Sequence, residues 1–104
     1  MLHLHCQSPF FEQIVSGKKT IEGRLAKSKY VALKPGDKIC FNDSFIVTVT
    51  GVRTYSTLKQ MIESEGVERV LPGLENDPAP ERIYRGFFSE EQEQLHGAVA
   101  IEIN

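Results

Sequence analysis

The residues best suited to chemistry in this sequence lie in one short segment, GKKTIEGR at positions 17–24. A glycine typical of a helix end is followed by charged groups at the start of a predicted strand. On a regular strand Thr20, Glu22 and Arg24 share one face, so a hydroxyl, a carboxylate and a guanidinium stand in a row. Such a row suits recognition of a phosphate or a base edge, but it also suits a surface ladder of cross-strand ion pairs. The residue types alone favour the ladder.

Lys19, in the same segment, has two interpretations that depend on its burial. An exposed lysine is fully protonated and binds phosphates, whereas a buried lysine has a lowered pKa and can act as a base or nucleophile. On an unbroken strand, Lys19 and Glu22 would face opposite sides of the sheet. They can converge only if regular pairing begins after Lys19 or if a bulge intervenes.

Histidines and cysteines carry weaker signals. His3 and His5 share a strand face, but no third ligand lies nearby, and we therefore predict no metal site. Cys6 and Cys40 have neither zinc spacing nor a histidine–acid pattern, so we interpret them as small buried apolar residues in a reducing cytoplasm. The glycine spacing matches no phosphate-binding loop, and we predict no cofactor.

Three clustered aromatic residues near the carboxyl end, Tyr84, Phe87 and Phe88, also have two interpretations. They can form a base-stacking platform, or they can be the core face of a helix. The usual burial of aromatic side chains favours the core.

Charge is unevenly distributed along the chain. Residues 18–38 hold seven basic and two acidic side chains, a net charge of +5, although the whole chain has a formal charge of −2. From residue 61 onward, ten acidic side chains outnumber three basic ones. Because salt screens charges beyond about 10 Å, the basic stretch can attract phosphates even on an acidic protein. On charge alone, a solvated face is the favoured interpretation.

Short strands and helices must position these residues. The pattern predicts a helix capped by Ser8 with Pro9 as its first residue, a helix capped by Ser56 or Thr57, a bulge at Gly51 and a turn at Asn42-Asp43. A later helix is expected to bury Ile83 and the three aromatic residues, followed by a short turn capped by Ser89. Strands are predicted at residues 2–5, Thr20–Leu25, Tyr30–Leu33, Lys38–Phe41, Ser44–Tyr55 and Ala98–Ile103.

Strands open and close the chain, with helices inserted between them. This order predicts an α+β fold with a mixed, curved sheet closed into a barrel, and it lacks the regular strand–helix alternation of a doubly wound sheet. A chain of 104 residues fits one domain. No apolar run approaches the roughly 20 residues of a membrane span, and the amino end lacks the features of a secretory signal, so a cytoplasmic protein is expected.

The segment FFEQIVSGKKTIEGR at residues 10–24 resembles the amino-terminal signature of the ASCH domain. The resemblance extends over KPGD at 34–37, over residues 55–73 with their VLPG ending, and over GAVAIEI at 97–103, and it is closest to small stand-alone prokaryotic ASCH proteins. It implies that residues 1–104 form one PUA-like mixed-sheet β-barrel with inserted helices. The partners it implies are RNA or nucleosides, with no membrane, and a monomer is the simplest expectation.

The resemblance also implies a reaction. Some stand-alone members are amidohydrolases that remove acetyl from N4-acetylcytidine with a lysine, a threonine and a later glutamate. The lysine falls on Lys19, the later glutamate on Glu65 with Glu63 as the neighbouring alternative, and the threonine position holds Glu22. We therefore expect Lys19, Glu22 and Glu65 to meet in one pocket as catalytic residues. The residues expected to bind substrate or RNA are Lys18, Thr20, Arg24, Lys27 and Lys29.

Two other functions remain open from the sequence. A non-catalytic RNA-binding module, or a ribonuclease-like relative, would use the basic residues between 18 and 38 on phosphates. A protein-interaction module is the third interpretation.

Overall fold

Five strands form one mixed sheet that curls into a half-barrel, in the spatial order β1–β3–β4–β5–β2. The computed structural model describes residues 1–104. β1 runs parallel to β3, and the other neighbouring strands are antiparallel. The strands are β1 (Leu2–Leu4), β2 (Ile21–Leu25), β3 (Lys38–Phe41), β4 (Phe45–Tyr55) and β5 (Ala98–Ile103).

The two outer strands of this sheet, β1 and β2, do not pair with each other. Instead, Arg24 Nη2 donates to the His5 carbonyl at 2.7 Å, which ties β2 to the residues that follow β1. We call the gap between these two strands the seam. The predicted α+β class with a mixed, curved sheet is confirmed, and the barrel is open at the seam.

Five helices and one 3₁₀-helix surround the sheet. Thr57 Oγ1 accepts from Gln60 N at 3.0 Å and so caps α3, while Ser89 and Gln92 form a capping box at the start of α5. The helices are α1 (Phe10–Val15), α2 (Ser28–Val31), α3 (Leu58–Glu65), α4 (Val67–Val70) and α5 (Glu90–His96), and the 3₁₀-helix is Pro80–Gly86. None of them combines the length and apolar character needed to cross a bilayer.

The core forms where the apolar side chains of the sheet meet those of α3. Leu58, Met61 and Ile62 recur at helical spacing and are at most 4% exposed, so α3 buries one face against the strands. Strand residues such as Ile21 and Phe41 are fully buried. This packing holds β2 in place in the sheet, and with it the backbone of Glu22 and Arg24.

Two local backbone predictions, the turn at Asn42-Asp43 and the bulge at Gly51, are confirmed. Asn42 and Asp43 both have positive φ, 55° and 53°, as the tight hairpin between β3 and β4 requires. The register of β4 against β5 shifts between Val49 and Gly51, which confirms the predicted bulge.

Three local predictions were wrong. Residues Tyr30–Leu33 are not a strand: Lys27 O accepts from Tyr30 N, and the helical turn α2 puts the Tyr30 ring into the core. Four residues are too few for periodicity to separate strand from helix.

Ser8 does not cap α1, which starts at Phe10, and its hydroxyl donates instead to Glu12 Oε2 at 2.8 Å. The helix expected to bury Phe87 is a 3₁₀-helix that ends at Gly86, leaving Phe87 exposed.

Candidate functional site

A cavity of about 260 Å³ opens at the seam. Its walls come from β2, from the residues after β1, from α1 and from the 3₁₀-helix with the two phenylalanines that follow it. We call it the seam cavity. Its lining residues are His5, Cys6, Gln7, Phe10, Lys19, Glu22, Gly23, Arg24, Leu71, Ile83, Tyr84, Phe87 and Phe88.

Lys19 and Glu22 meet in this cavity because regular pairing of β2 begins only at Ile21. Lys19 therefore lies in the turn before the strand, where its amide donates to Gln13 O at 3.0 Å. From there Lys19 Nζ comes within 3.6 Å of Glu22 Oε1. Of the two conditions for their convergence, the chain therefore meets the first: regular strand pairing begins after Lys19.

The Lys19 ammonium is almost completely enclosed, with the residue 3% exposed. Lys19 Nζ donates to Ile21 O at 2.6 Å and to Val70 O, and it stands 5.7 Å from the centre of the Phe10 ring. Burial lowers the pKa of Lys19, and the nearby Glu22 carboxylate partly opposes that shift. Two of the three ammonium hydrogens are thus engaged by carbonyls, and the third has Glu22 as its neighbour.

Arg24 binds Glu22 through one carboxylate oxygen only. Its Nε and Nη2 atoms lie 2.8 and 2.7 Å from Glu22 Oε2. Glu22 Oε1 accepts no hydrogen bond from the protein within 3.5 Å, and Arg24 Nη1 donates none. The cavity wall therefore offers a ligand one carboxylate acceptor and one guanidinium nitrogen with two hydrogens.

Apolar groups make up the rest of the lining. Phe10, Leu71 and Tyr84 are buried, so they form a firm wall. Burial raises the pKa of the Cys6 thiol to about 12 and also raises the pKa of Tyr84. Both groups stay protonated near neutral pH, and Cys6 is therefore a wall residue rather than a nucleophile.

Gly23 allows the 3₁₀-helix to approach β2. A Cβ atom at this position would lie 2.5 Å from Tyr84 Oη and 2.6 Å from Met61 Cε. Any side chain would push Tyr84 away and reshape the cavity. Gly23 is not among the site residues predicted from the sequence, although a glycine inside a predicted strand is a signal of close approach. The sequence offered Phe87 as part of a base-stacking platform, but the core interpretation was favoured there.

Glu65 does not belong to the seam cavity. It lies at the end of α3, where Arg53 Nε and Nη2 donate to its two oxygens at 2.6 and 2.8 Å and the Tyr55 hydroxyl donates to Oε2. The expectation that Glu65 joins Lys19 and Glu22 in one pocket is therefore wrong, because the last turn of α3 presents Glu65 to the side chains of β4. Glu63, the alternative, is exposed and also lies outside the cavity.

Glu65 is part of a larger charge cluster, which we call the α3–β4 cluster: Arg53, Tyr55, Glu65, Arg69 and Glu102. Arg53 Nη2 also contacts Glu102 Oε1 at 2.8 Å, and Arg69 Nη2 lies 3.2 Å from Glu102 Oε2. The hydrogen bonds from Arg53 lower the pKa of Glu65. The cluster ties α3, β4, β5 and α4 together.

The expected binding residues other than Arg24 lie outside the cavity lining. Thr20 is half-buried, and its carbonyl accepts from Ile103 N at 2.9 Å. Lys18, Lys27 and Lys29 are exposed. Lys29 Nζ stands 5.0 Å from the centre of the Tyr30 ring, and Arg24 Cζ stands 6.0 Å from it, so one ring links a cavity cation to a surface cation.

The histidines belong to no cluster with metal-ligand geometry. His3 Nδ1 lies 3.6 Å from Asp43, and no three histidine, cysteine, aspartate or glutamate side chains are arranged to hold a metal ion.

The sequence model of the ASCH domain matches residues 4–104. Two solved structures are similar over 99% of the chain. The crystal structure of hypothetical protein PH0355 is 44% identical, with 96% of that protein covered and a TM-score of 0.92. The solution structure of protein PF0455 from Pyrococcus furiosus is 41% identical, with 94% covered and a TM-score of 0.81. Among curated proteins, none matches this chain.

Proposed function

The chain belongs to the ASCH domain family, and from this membership and the seam cavity we propose that it binds a nucleoside and hydrolyses the amide of an N4-acylated cytidine. The observation that carries the proposal is the buried Lys19 ammonium, 3.6 Å from the Glu22 carboxylate on the cavity wall. A buried ionisable group with a charged partner beside a cleft is a candidate for a functional site.

The size and lining of the cavity suit a nucleoside. Its volume of about 260 Å³ lies just below the usual range of small-molecule sites, roughly 300–1,000 Å³. Its walls are largely apolar and carry a few convergent polar groups, as such sites usually do. A single base with its ribose matches this space, whereas folded RNA would have to extend outside it.

Amide hydrolysis needs a base for water and positive charge near the developing oxyanion. In the proposal, Glu22 Oε1 takes a proton from water while the oxygen of that water attacks the acyl carbon. The third hydrogen of Lys19 stabilises the oxyanion. The C–N bond then breaks, and the proton held by Glu22 passes to the departing amino nitrogen, which leaves a carboxylic acid and cytidine.

In this proposal Glu22 is the acid–base residue, and Glu65, which the resemblance implied as a further catalytic residue, has no part in the reaction. Glu22 has an oxygen without a protein donor and lines the cavity, while both Glu65 oxygens are occupied. Arg24 keeps Glu22 oriented through Oε2. The catalytic carboxylate of this proposal is then the glutamate that stands at the threonine position of the family signature.

The test is incubation of the purified protein with N4-acetylcytidine, with cytidine release followed by chromatography. We expect turnover by the wild type and a loss of at least about 100-fold in Glu22→Gln and Lys19→Met, the usual effect of removing an acid–base group. Glu65→Gln and Lys18→Met are the matched controls and should keep the wild-type rate. Absence of wild-type turnover, or turnover that survives Glu22→Gln, contradicts the amidase proposal.

A second candidate, binding of the same nucleoside as part of RNA, is supported by the cations on either side of Tyr30. Arg24, which lines the cavity, and the exposed Lys29 both lie against the Tyr30 ring. If the cavity held a nucleoside of an RNA strand, a neighbouring backbone phosphate would lie near Lys29. We expect the affinity for a short cytidine-containing RNA to fall steeply with salt, and the slope to decrease in Lys29→Met. The affinity for free cytidine should change little with salt concentration. If the affinities for RNA and for cytidine depended equally on salt, this candidate would be excluded.

A further inference from the structure

Phe87 is the exposed aromatic side chain of the seam cavity. Its residue is 54% exposed, while the other eight phenylalanine and tyrosine residues are buried or half-buried. Phe87 nevertheless lines the cavity, immediately after the 3₁₀-helix. An exposed ring of this size leaves apolar surface in water that a ligand can cover.

The backbone under this ring is held firmly. Phe87 N and Phe88 N both donate to Tyr84 O, at 2.9 and 2.8 Å. The Phe88 ring is stacked on Tyr84, with centroids 6.2 Å apart and 16° between the planes, and Ser89 then caps α5. The backbone of Phe87 is therefore held by hydrogen bonds, while one side of its ring is exposed to solvent.

We propose that Phe87 determines specificity at this site by stacking on the planar heteroaromatic ring of the ligand at the cavity mouth. This inference rests on the proposed nucleoside binding and adds the chemical class of the group that is recognised. Glu22 and Arg24 present hydrogen-bonding groups suited to the edge of a ring. Phe87 presents an apolar face, and stacking on such a face accepts any aromatic base but not a saturated ring.

The first experiment uses the absence of tryptophan from the chain. Phe87→Trp places a single indole at the cavity mouth, and we expect its fluorescence to be quenched in a saturable way by cytidine. The matched control is Leu95→Trp, an exposed position outside the cavity lining, which should show no saturable quenching.

The second experiment measures affinity by calorimetry. Phe87→Ala should weaken cytidine binding about tenfold, within the usual range for loss of one base–aromatic stack, while its Tm stays near the wild-type value because the residue is exposed. Uridine and 5,6-dihydrouridine provide a ligand pair that differs in ring planarity. The wild type should prefer uridine by about fivefold or more, and Phe87→Ala should lose that preference.

The outcomes separate the two proposals. Equal cytidine affinity in the wild type and Phe87→Ala, or equal affinity for uridine and dihydrouridine in the wild type, overturns the role of Phe87 and leaves nucleoside binding intact. Absence of any nucleoside binding by the wild type overturns both proposals.

Discussion

Two buried glutamates, Glu22 and Glu65, have the same kind of partner and different surroundings. Each is paired with an arginine through two nitrogen–oxygen contacts, Glu22 with Arg24 and Glu65 with Arg53. Both Glu65 oxygens accept hydrogen bonds: Oε1 accepts from Arg53 Nη2, and Oε2 accepts from Arg53 Nε and from the Tyr55 hydroxyl. Glu22 keeps one oxygen without a protein donor, and that oxygen lies 3.6 Å from the Lys19 ammonium.

Burial and pairing with an arginine therefore do not by themselves identify a catalytic or ligand-binding carboxylate. The two arginine contacts of Glu22 converge on one oxygen, whereas those of Glu65 are shared between two. A carboxylate with a spare acceptor beside a cavity can bind water or a ligand, while a saturated one holds elements together. Glu65 belongs to the second kind.

The α3–β4 cluster still supports the site indirectly. Arg69 contacts Glu102 on β5 and lies on α4, the helix that contains Val70. Val70 O accepts from Lys19, and Arg69 O accepts from Thr20 N at 3.1 Å. The cluster therefore helps to set the position of α4, and α4 helps to set the position of the Lys19 ammonium.

The largest effect on stability is expected from Lys19→Met. This change removes the donor of two buried carbonyls and the cation beside Glu22, and we expect the free energy of unfolding to fall by about 3 kcal/mol. Urea denaturation provides the measurement. The neighbouring exposed change Lys18→Met should cost less than about 0.5 kcal/mol, and equal costs for the two would mean that Lys19 is not held as described.

Glu65→Gln should lower the free energy of unfolding by about 2 kcal/mol, because it weakens charge-assisted hydrogen bonds from Arg53. Cytidine affinity should stay within about twofold of the wild type, since Glu65 lies outside the seam cavity. Calorimetry and urea denaturation on the same samples give both values. A large loss of affinity would remove the distinction between the two glutamates.

Gly23→Ala tests the packing behind Glu22. The new methyl group would meet Tyr84 Oη and Met61 Cε at less than 3 Å, and overpacking of this kind costs roughly 1–3 kcal/mol. Gly86→Ala is the matched control, because a Cβ there has no neighbour within 4 Å. We expect Gly23→Ala also to weaken cytidine binding, and an unchanged Tm would show that the 3₁₀-helix does not pack against β2 as described.

The smallest effect is the pH dependence of the Glu65 contribution. Arg53 lowers the pKa of Glu65 in the folded state, so the folded protein binds fewer protons than the unfolded chain at acidic pH. The stabilisation is complete above the unfolded pKa of about 4.3 and is lost as the pH falls through the lower folded value. The stability difference between the wild type and Glu65→Gln should therefore shrink from pH 6 to pH 2.5, and a constant difference would contradict this account.

Most of the confirmed local predictions depend on a few neighbouring residues: the cap of α3 at Ser56 or Thr57, which Thr57 provides, the Asn42-Asp43 turn and the bulge at Gly51. The Ser8 cap is the local prediction that failed, because its hydroxyl donates to Glu12 instead. Prediction from the sequence failed at Tyr30–Leu33, because the Tyr30 ring is drawn into a core formed by distant parts of the chain. It also failed for Phe87, whose helix ends one residue before it.

For the site, the amino-acid sequence specifies the chemical groups of the segment at residues 17–24. It leaves two ways for Lys19 to meet Glu22: strand pairing that begins after Lys19, or a bulge. In the folded chain β2 begins at Ile21, and the buried Lys19 ammonium donates to the carbonyl of Val70. Tertiary structure also decided that Glu65 faces Arg53 rather than the seam cavity. Residue types set which hydrogen bonds and ion pairs are available, while the packing of α3 and α4 on the sheet selects the partners that come within reach.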